Sequence, residues 1–199
     1  MSNEISENHG AFYEDDQYWF IIDVESVGLH GEGFAVAYGV YQNGIEHEWG
    51  VIACDSDAAE GGPYDREWAE KNVKLEPHEI SYSAPRGVRS EFWSTWGLAK
   101  LRYPGIVMVG ECIWPVETNF LHQGISDRPD RSVDGPYPLL DITNWIAAAG
   151  MDPMEAYERR PDELPVHHPM GDVRLSARLF HEALRRLNNN AEYLNPRMS

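Results

Sequence analysis

The sequence predicts an α/β domain built on a mixed central sheet, and three features carry that expectation. An apolar run rich in aromatic and β-branched residues occupies 17–25, two more strand-like runs follow it across an Asn-Gly step, and helical patterns then alternate with one further short apolar run. Strands first, then helices mixed with strands, implies a layered domain in which an antiparallel three-strand meander joins parallel strands and helices flank the sheet.

The elements follow in order. Residues 1–16 read as a flexible acidic arm, 17–190 as one domain and 191–199 as a tail. QYWFIIDVE (17–25) is a buried strand. GFAVAYGVY (33–41) and EHEWGVIAC (46–54) are separated by Gln42-Asn43-Gly44, and Asn-Gly between such runs signals a hairpin. Residues 55–66 form an acidic, Gly-rich loop. Segments 67–80 and 89–102 read as helical or mixed. GIVMVGE (105–111) is a short buried strand expected beside the first, and a helix begins at 117–122, after Pro115. A loop spans 126–138, LLDITNWIAAAG (139–150) is helical with a Gly stop, and 151–166 is a loop rich in Pro and charge. The last helix is the clearest: Val173, Ala177, Phe180, Leu184 and Leu187 form one apolar stripe, ending at Asn188-Asn189-Asn190.

Composition narrows the function classes. The 199 residues suffice for one core without covalent staples. With 33 acidic against 16 basic residues the formal charge is -17, which opposes nonspecific binding to long duplexes by phosphate repulsion. Bound divalent ions supply local positive charge, so chemistry on short single-stranded ends is not excluded. Cys54 and Cys112 lack metal-ligand spacing and suggest a reduced, intracellular chain. The polar start MSNEISENHG is unlike a signal peptide, and there is no run of about eighteen apolar residues to span a membrane, so the cytoplasm is the default expectation. Gly31-Glu32-Gly33 faintly suggests a dinucleotide-binding turn, but the third glycine is missing and a strand follows where a helix is required.

Three acidic motifs carry the chemistry. Asp23 and Glu25 end the first strand, and alternation places both on one face with Val24 opposite. Two strand steps span about 6.6 Å; that suits two metal ions about 4 Å apart with one bridging carboxylate. Solvated residues at a strand end are the plainer reading. Glu117 lies past the carboxyl end of GIVMVGE, where α/β sheets place their sites, though an acid there also complements a helix dipole. His167-His168-Pro169-Met170-Gly171-Asp172 enters the last helix, where Asp172 has an alternative role as an N-cap.

Taken together, these residues resemble the DnaQ-like (DEDDh) exonucleases of the ribonuclease H-like superfamily. Asp23-Val24-Glu25-Ser26-Val27-Gly28-Leu29 is similar to the family's opening Asp-x-Glu-Thr-Thr-Gly-Leu. Glu117-Thr118-Asn119-Phe120-Leu121 has the layout of its second motif, and His167 with Asp172 matches its His, four residues, Asp. The motifs bracket residues 23–172 in family order. Glu117 stands where the family usually has Asp, one methylene shorter, and Pro-Val-Glu before a helix looks similar to a bacterial and phage exoribonuclease-like subgroup.

The resemblance implies a ribonuclease H-like fold and 3′–5′ hydrolysis of phosphodiesters by a two-metal-ion mechanism. It implies Mg²⁺ or Mn²⁺ held by Asp23, Glu25, Glu117 and Asp172, with His167 as general base and His168 as its rival. The implied partner is nucleic acid with a free 3′ end, RNA or single-stranded DNA, and homodimers are common among such proteins. Leu29 and Phe120 are conceivable wedges by the same resemblance. Trp19 reads as core, while Trp93, Trp96 and Trp114 are candidates to stack on a base. Arg128, Arg131, Arg159, Arg160, Arg174 and Arg178 lie near the motifs as candidate phosphate contacts or ordinary surface charges. Two other readings compete: a weakened nucleic-acid-binding module of the same fold, and a metal phosphohydrolase acting on nucleotides or short oligonucleotides.

Overall fold

The structure, a computed structural model, describes residues 16–194, with 190–194 as backbone only. The parts of the expected arm and tail at 1–15 and 195–199 lie outside the described residues.

The opening meander forms as its alternation dictates. Strands β1 (Trp19–Ser26), β2 (Gly33–Gln42) and β3 (Ile45–Cys54) pair antiparallel in sequence. Asn43 and Gly44 join β2 to β3 with φ of 51° and 73°, the left-handed pair that a turn matched to strand twist requires. The chain continues through α1 (Pro63–Asn72), β4 (Ile80–Tyr82), α2 (Pro85–Arg102), β5 (Val107–Gly110), α3 (Val116–Asp127), β6 (Leu139–Asp141), α4 (Ile142–Ala148) and α5 (Pro169–Leu194). The six-stranded sheet has the order β4-β3-β2-β1-β5-β6. Strand β5 runs parallel to β1, β6 parallel to β5 and β4 parallel to β3, giving the mixed α/β sheet that the sequence predicts.

Several boundaries differ from the sequence reading. Helix α1 starts at Pro63 inside the expected loop 55–66, because proline at the first helical position costs no hydrogen bond. It stops at Asn72, so 67–80 is not one helix, and Ile80–Tyr82 is instead an edge strand on β3. Likewise the first three residues of 139–150 are strand: Leu139, Leu140 and Asp141 pair with Met108, Val109 and Gly110. Asp141 then caps α4 by accepting from the Thr143 N–H at 2.8 Å. Helix α5 runs on to Leu194, four residues into the segment read as tail. No helix among the described residues is long and apolar enough to cross a membrane.

Strand β1 is central, and its alternation builds two cores. Phe20, Ile22 and Val24 pack with Val88, Phe92 and Trp96 of α2 and Phe120 of α3. Trp19 and Ile21 pack on the other face with Ile142 and Ile146 of α4 and with Val173, Ala177 and Phe180 of α5, the predicted stripe. The rings of Trp19 and Phe180 meet edge to face at 4.9 Å. From that contact four strand steps, about 13 Å, lead to Asp23. Eight helical steps back along α5, about 12 Å, lead to Asp172. The antiparallel course of β1 and α5 thus brings both acids to one end of the sheet.

A buried ion triad braces the opposite layer. Arg89 of α2 donates to Glu32 at 2.6 Å and to Asp127, at the end of α3, at 2.6 Å, with its side chain 6% exposed. Removing one member leaves buried charge uncompensated. Arg89→Ala is therefore expected to cost about 3 to 5 kcal/mol, read as a lower urea midpoint at unchanged slope. A midpoint matching the wild type would show that the triad adds no net stability.

Candidate active site

The site is built where β1 outruns its parallel neighbour. Pairing of β1 with β5 stops at Ile22 and Gly110, whereas pairing with β2 continues to Ser26. Asp23 and Glu25 therefore project beside a crevice at the carboxyl end of the sheet, on the face covered by α5. Asp172 meets them from the first turn of α5. Asp23, Glu25 and Asp172 each offer a carboxylate oxygen, and the three oxygens lie within 4.8 Å of one another. Asp23 and Asp172 are partly buried and Glu25 is buried, so these are not solvated strand-end charges. Nor is Asp172 the N-cap. It is the fourth residue of α5, and its N–H donates to the His168 carbonyl at 3.0 Å.

Glu117, in the first turn of α3, stands outside that group of three. It is 5% exposed, and its Oε1 accepts from the Val24 N–H at 3.3 Å. Because β5 has already ended, this carboxylate satisfies a β1 donor that no strand reaches. The longer arm of Glu at this position accounts for the contact. The carboxylate remains close enough to raise the pKa values of both Asp23 and Glu25.

Burial and mutual repulsion shift the whole cluster. Burial chiefly, then Glu25, Asp172, Glu117 and Glu111, hold Asp23 well above the usual carboxylate range. Glu25 is pushed up to about 8, by burial first and then by Asp172 and Glu117. Burial raises Glu117 to about 7 against the pull of two backbone N–H donors. Asp172 is also raised by burial, although Arg159, His167 and His168 favour its charged form. Four acids sharing one poorly solvated corner are stabilised either by protonation or by a bound cation. Carboxylates alone are the donor set of hard divalent ions, so these residues fit Mg²⁺ or Mn²⁺.

The two histidines differ in their ties. His168 Nε2 lies 3.3 Å from Glu79 Oε1, a carboxylate outside the acid cluster. The His167 ring stands edge to face with Trp68 at 5.2 Å. Its backbone takes φ of 60° and its carbonyl accepts from the Lys74 N–H at 2.9 Å.

Three residues that sequence reasoning left unassigned or undecided sit at the site. Glu111 follows the last residue of β5, accepts from Ser176 Oγ at 2.6 Å and adds to the field on Asp23. The signal that selected Glu117, an acid beyond a central strand, applies equally to Glu111. Arg159 donates to Asp172 and to the Glu163 carbonyl, and so is the one candidate arginine that touches the cluster. Trp68, 48% exposed, lines a cavity of about 330 Å³ with Glu25, Ser26, Leu29, Asp65 and Val116. Gly28, also in that wall, takes φ of 82° and packs against the Asp65 carboxyl, where no side chain fits.

Other candidates belong elsewhere. Trp93, Trp96 and Phe120 are buried in the core and do not reach a ligand, whereas Trp114 is 74% exposed. Arg131 is buried under Trp93 and donates to the Gly124 carbonyl. Arg128, Arg174 and Arg178 are paired with Asp130, Glu46 and Glu163.

No family model matches the sequence. No curated protein matches it. Solved structures do. Escherichia coli exonuclease I in complex with a dT13 oligonucleotide superposes at a TM-score of 0.60 with 14% identity, covering 89% of this chain and 43% of that one. Exonuclease I from Methylocaldum szegediense gives 0.57 at 14% identity over 90% and 43%. The zinc-bound form of the E. coli enzyme with single-stranded DNA gives 0.56 at 14% identity over 87% and 42%. The chain thus spans less than half the length of these structures. At such identity the likeness establishes the fold, which is ribonuclease H-like.

The acid cluster sets a pH dependence of stability. Glu25 and Glu117, at about 8 and about 7 when folded, hold protons that the unfolded chain releases near 4.5. Between those values the native state binds more protons, so the metal-free protein loses stability as pH rises toward about 8. Glu25→Gln is expected to raise the metal-free melting midpoint at that pH by roughly 2–4 °C. A fall would mean that the repulsion is already compensated.

Proposed function

We propose that this protein is a metal-dependent 3′–5′ exonuclease of the DnaQ-like, DEDDh type, acting on single-stranded ends of RNA or DNA. The observation that carries the reading is the convergence of Asp23, Glu25 and Asp172 within 4.8 Å at the carboxyl end of the sheet. The exonuclease I structures that share the fold, two of them with bound single-stranded DNA, support the substrate class.

In this reading Asp23, Glu25 and Asp172 would hold the divalent ions, with Glu117 completing the set from α3. When bound, such ions supply the Lewis acidity that activates water and stabilises the departing oxygen. We assign the proton of the attacking water to His167, whose imidazole packs against the Trp68 ring, whereas that of His168 is engaged by Glu79. Arg159 pairs with Asp172, and its guanidinium is the candidate contact for a substrate phosphate.

A second reading, a binding module without catalysis, draws on one observation. Arg159 on Asp172 and Val24 on Glu117 already satisfy part of the cluster internally. Calorimetric titration with Mn²⁺ separates the two, because a module with satisfied acids would bind no ion.

With Mn²⁺, a 5′-labelled single-stranded oligonucleotide is expected to shorten stepwise from its 3′ end, and parallel RNA and DNA substrates rank the two. Asp23→Ala and Asp172→Ala are expected to abolish the laddering while the circular dichroism spectrum is kept. Full activity in either would remove that residue from the site. His167→Ala should lower turnover by about 10²–10⁴-fold, and His168→Ala far less. The reverse ranking would reassign the base.

A further inference from the structure

We propose that Trp68 is a positioning residue that couples the cavity beside Glu25 to His167, so that a planar ring seated in the cavity fixes the imidazole for catalysis; the inference rests on the exonuclease reading above.

Helix α1 has no apolar stripe to explain Trp68. Among its described residues Ala69 is the buried one, and the indole is 48% exposed. It is instead shared between two neighbours. Trp68 lines the cavity of about 330 Å³ with Leu29 and Val116, next to Glu25, and it meets the His167 ring edge to face at 5.2 Å and 73°. That volume lies at the small end of ligand pockets, suited to one heterocycle. Its lining combines an aliphatic wall, an indole and the Asp65 carboxylate, which accepts N–H and O–H donors and repels phosphate.

The chain after α1 holds the histidine pair as well. The Lys74 N–H donates to the His167 carbonyl at 2.9 Å, and Glu79 meets His168 at 3.3 Å. His167 takes a left-handed φ of 60°, a backbone state that persists in a non-glycine residue when its surroundings hold it. Segment 68–79 is therefore the platform of the histidine loop, and Trp68 is the part of it that also faces the cavity. A base stacked in the cavity restricts the indole, and the indole restricts the imidazole.

Turnover of a single-stranded oligonucleotide with Mn²⁺ is measured for the wild type, Trp68→Ala, Trp68→Phe, His167→Ala and the Trp68→Ala/His167→Ala double variant. The single Ala change should lower kcat about tenfold or more with a smaller change in KM, and Trp68→Phe should restore most of it, as an edge-on ring remains. In the His167→Ala background the Trp68 change should add little, since both act through one imidazole. Melting midpoints within about 2 °C of wild type are expected for this half-exposed position. A higher KM at unchanged kcat, or full additivity of the two changes, overturns the proposal. A wild type without nuclease activity defeats the exonuclease reading alone, and a second measurement then decides this one. Adding adenosine 5′-monophosphate should shift the Trp68 indole and His167 imidazole resonances together, and the His167 shift should vanish in Trp68→Ala. A His167 signal that ignores the nucleotide, or responds equally in the variant, overturns it.

Discussion

Everything at the carboxyl end of this sheet depends on forcing carboxylates together where water cannot fully screen them. Asp23, Glu25 and Asp172 meet within 4.8 Å, and burial with mutual repulsion lifts Glu25 to about 8. An arrangement of this kind is unfavourable by itself and persists only because other parts of the fold fix it. Strand β1 is pinned on both sides by β2 and β5, and Phe20, Ile21 and Ile22 are almost fully buried just before Asp23. Helix α5 is held by its own apolar stripe along the same strand. Repulsion is thus placed at the tip of two elements that are over-determined along their length.

How the chain advertised this arrangement follows from the range of each signal. Alternation in β1 and β2, the Asn43-Gly44 turn and the stripe of α5 are local patterns, and the structure carries all of them. Strand alternation puts Asp23 and Glu25 on one face, whereas Asp172 joined them in the expectation only through the motif resemblance, since a helix start by itself suggests an N-cap. The short edge elements were not. Leu139–Asp141 has the apolar content of the helix it leads into, and its strand character comes from lying beside β5. Helix α1 buries Ala69 alone among its described residues, so no period marks it. The partners that complete the site share this nonlocal origin. Arg159 reaches Asp172 from a loop, and Val24 is joined to Glu117 across 93 residues.

Glu117 illustrates how one residue serves structure and chemistry at once. The early end of β5 opens the crevice and leaves the Val24 N–H without a strand partner. A carboxylate from α3 answers that donor and adds negative charge to the same corner, which raises Asp23 and Glu25 further. The extra methylene of Glu over Asp gives the reach to do so. The departure from the expected residue type is therefore matched by a specific contact, and it does not require the site to be degenerate.

The charge balance of the surface explains why so much depends on that corner. Arg89, Arg102, Arg128, Arg174, Arg178, Arg185 and Arg186 are each paired with a carboxylate, and Arg159 is paired with Asp172 itself. With a formal charge of -17, most arginines of the described residues are thus engaged by carboxylates rather than free for a phosphate backbone. In the proposed reading, attraction for a phosphate backbone would be generated locally, by cations held in the acid cluster and by the exposed rings of Trp68, beside it, and Trp114, just before α3. Under the proposed function, a surface so balanced would favour a short single-stranded end that reaches the crevice over a long, multiply contacted duplex.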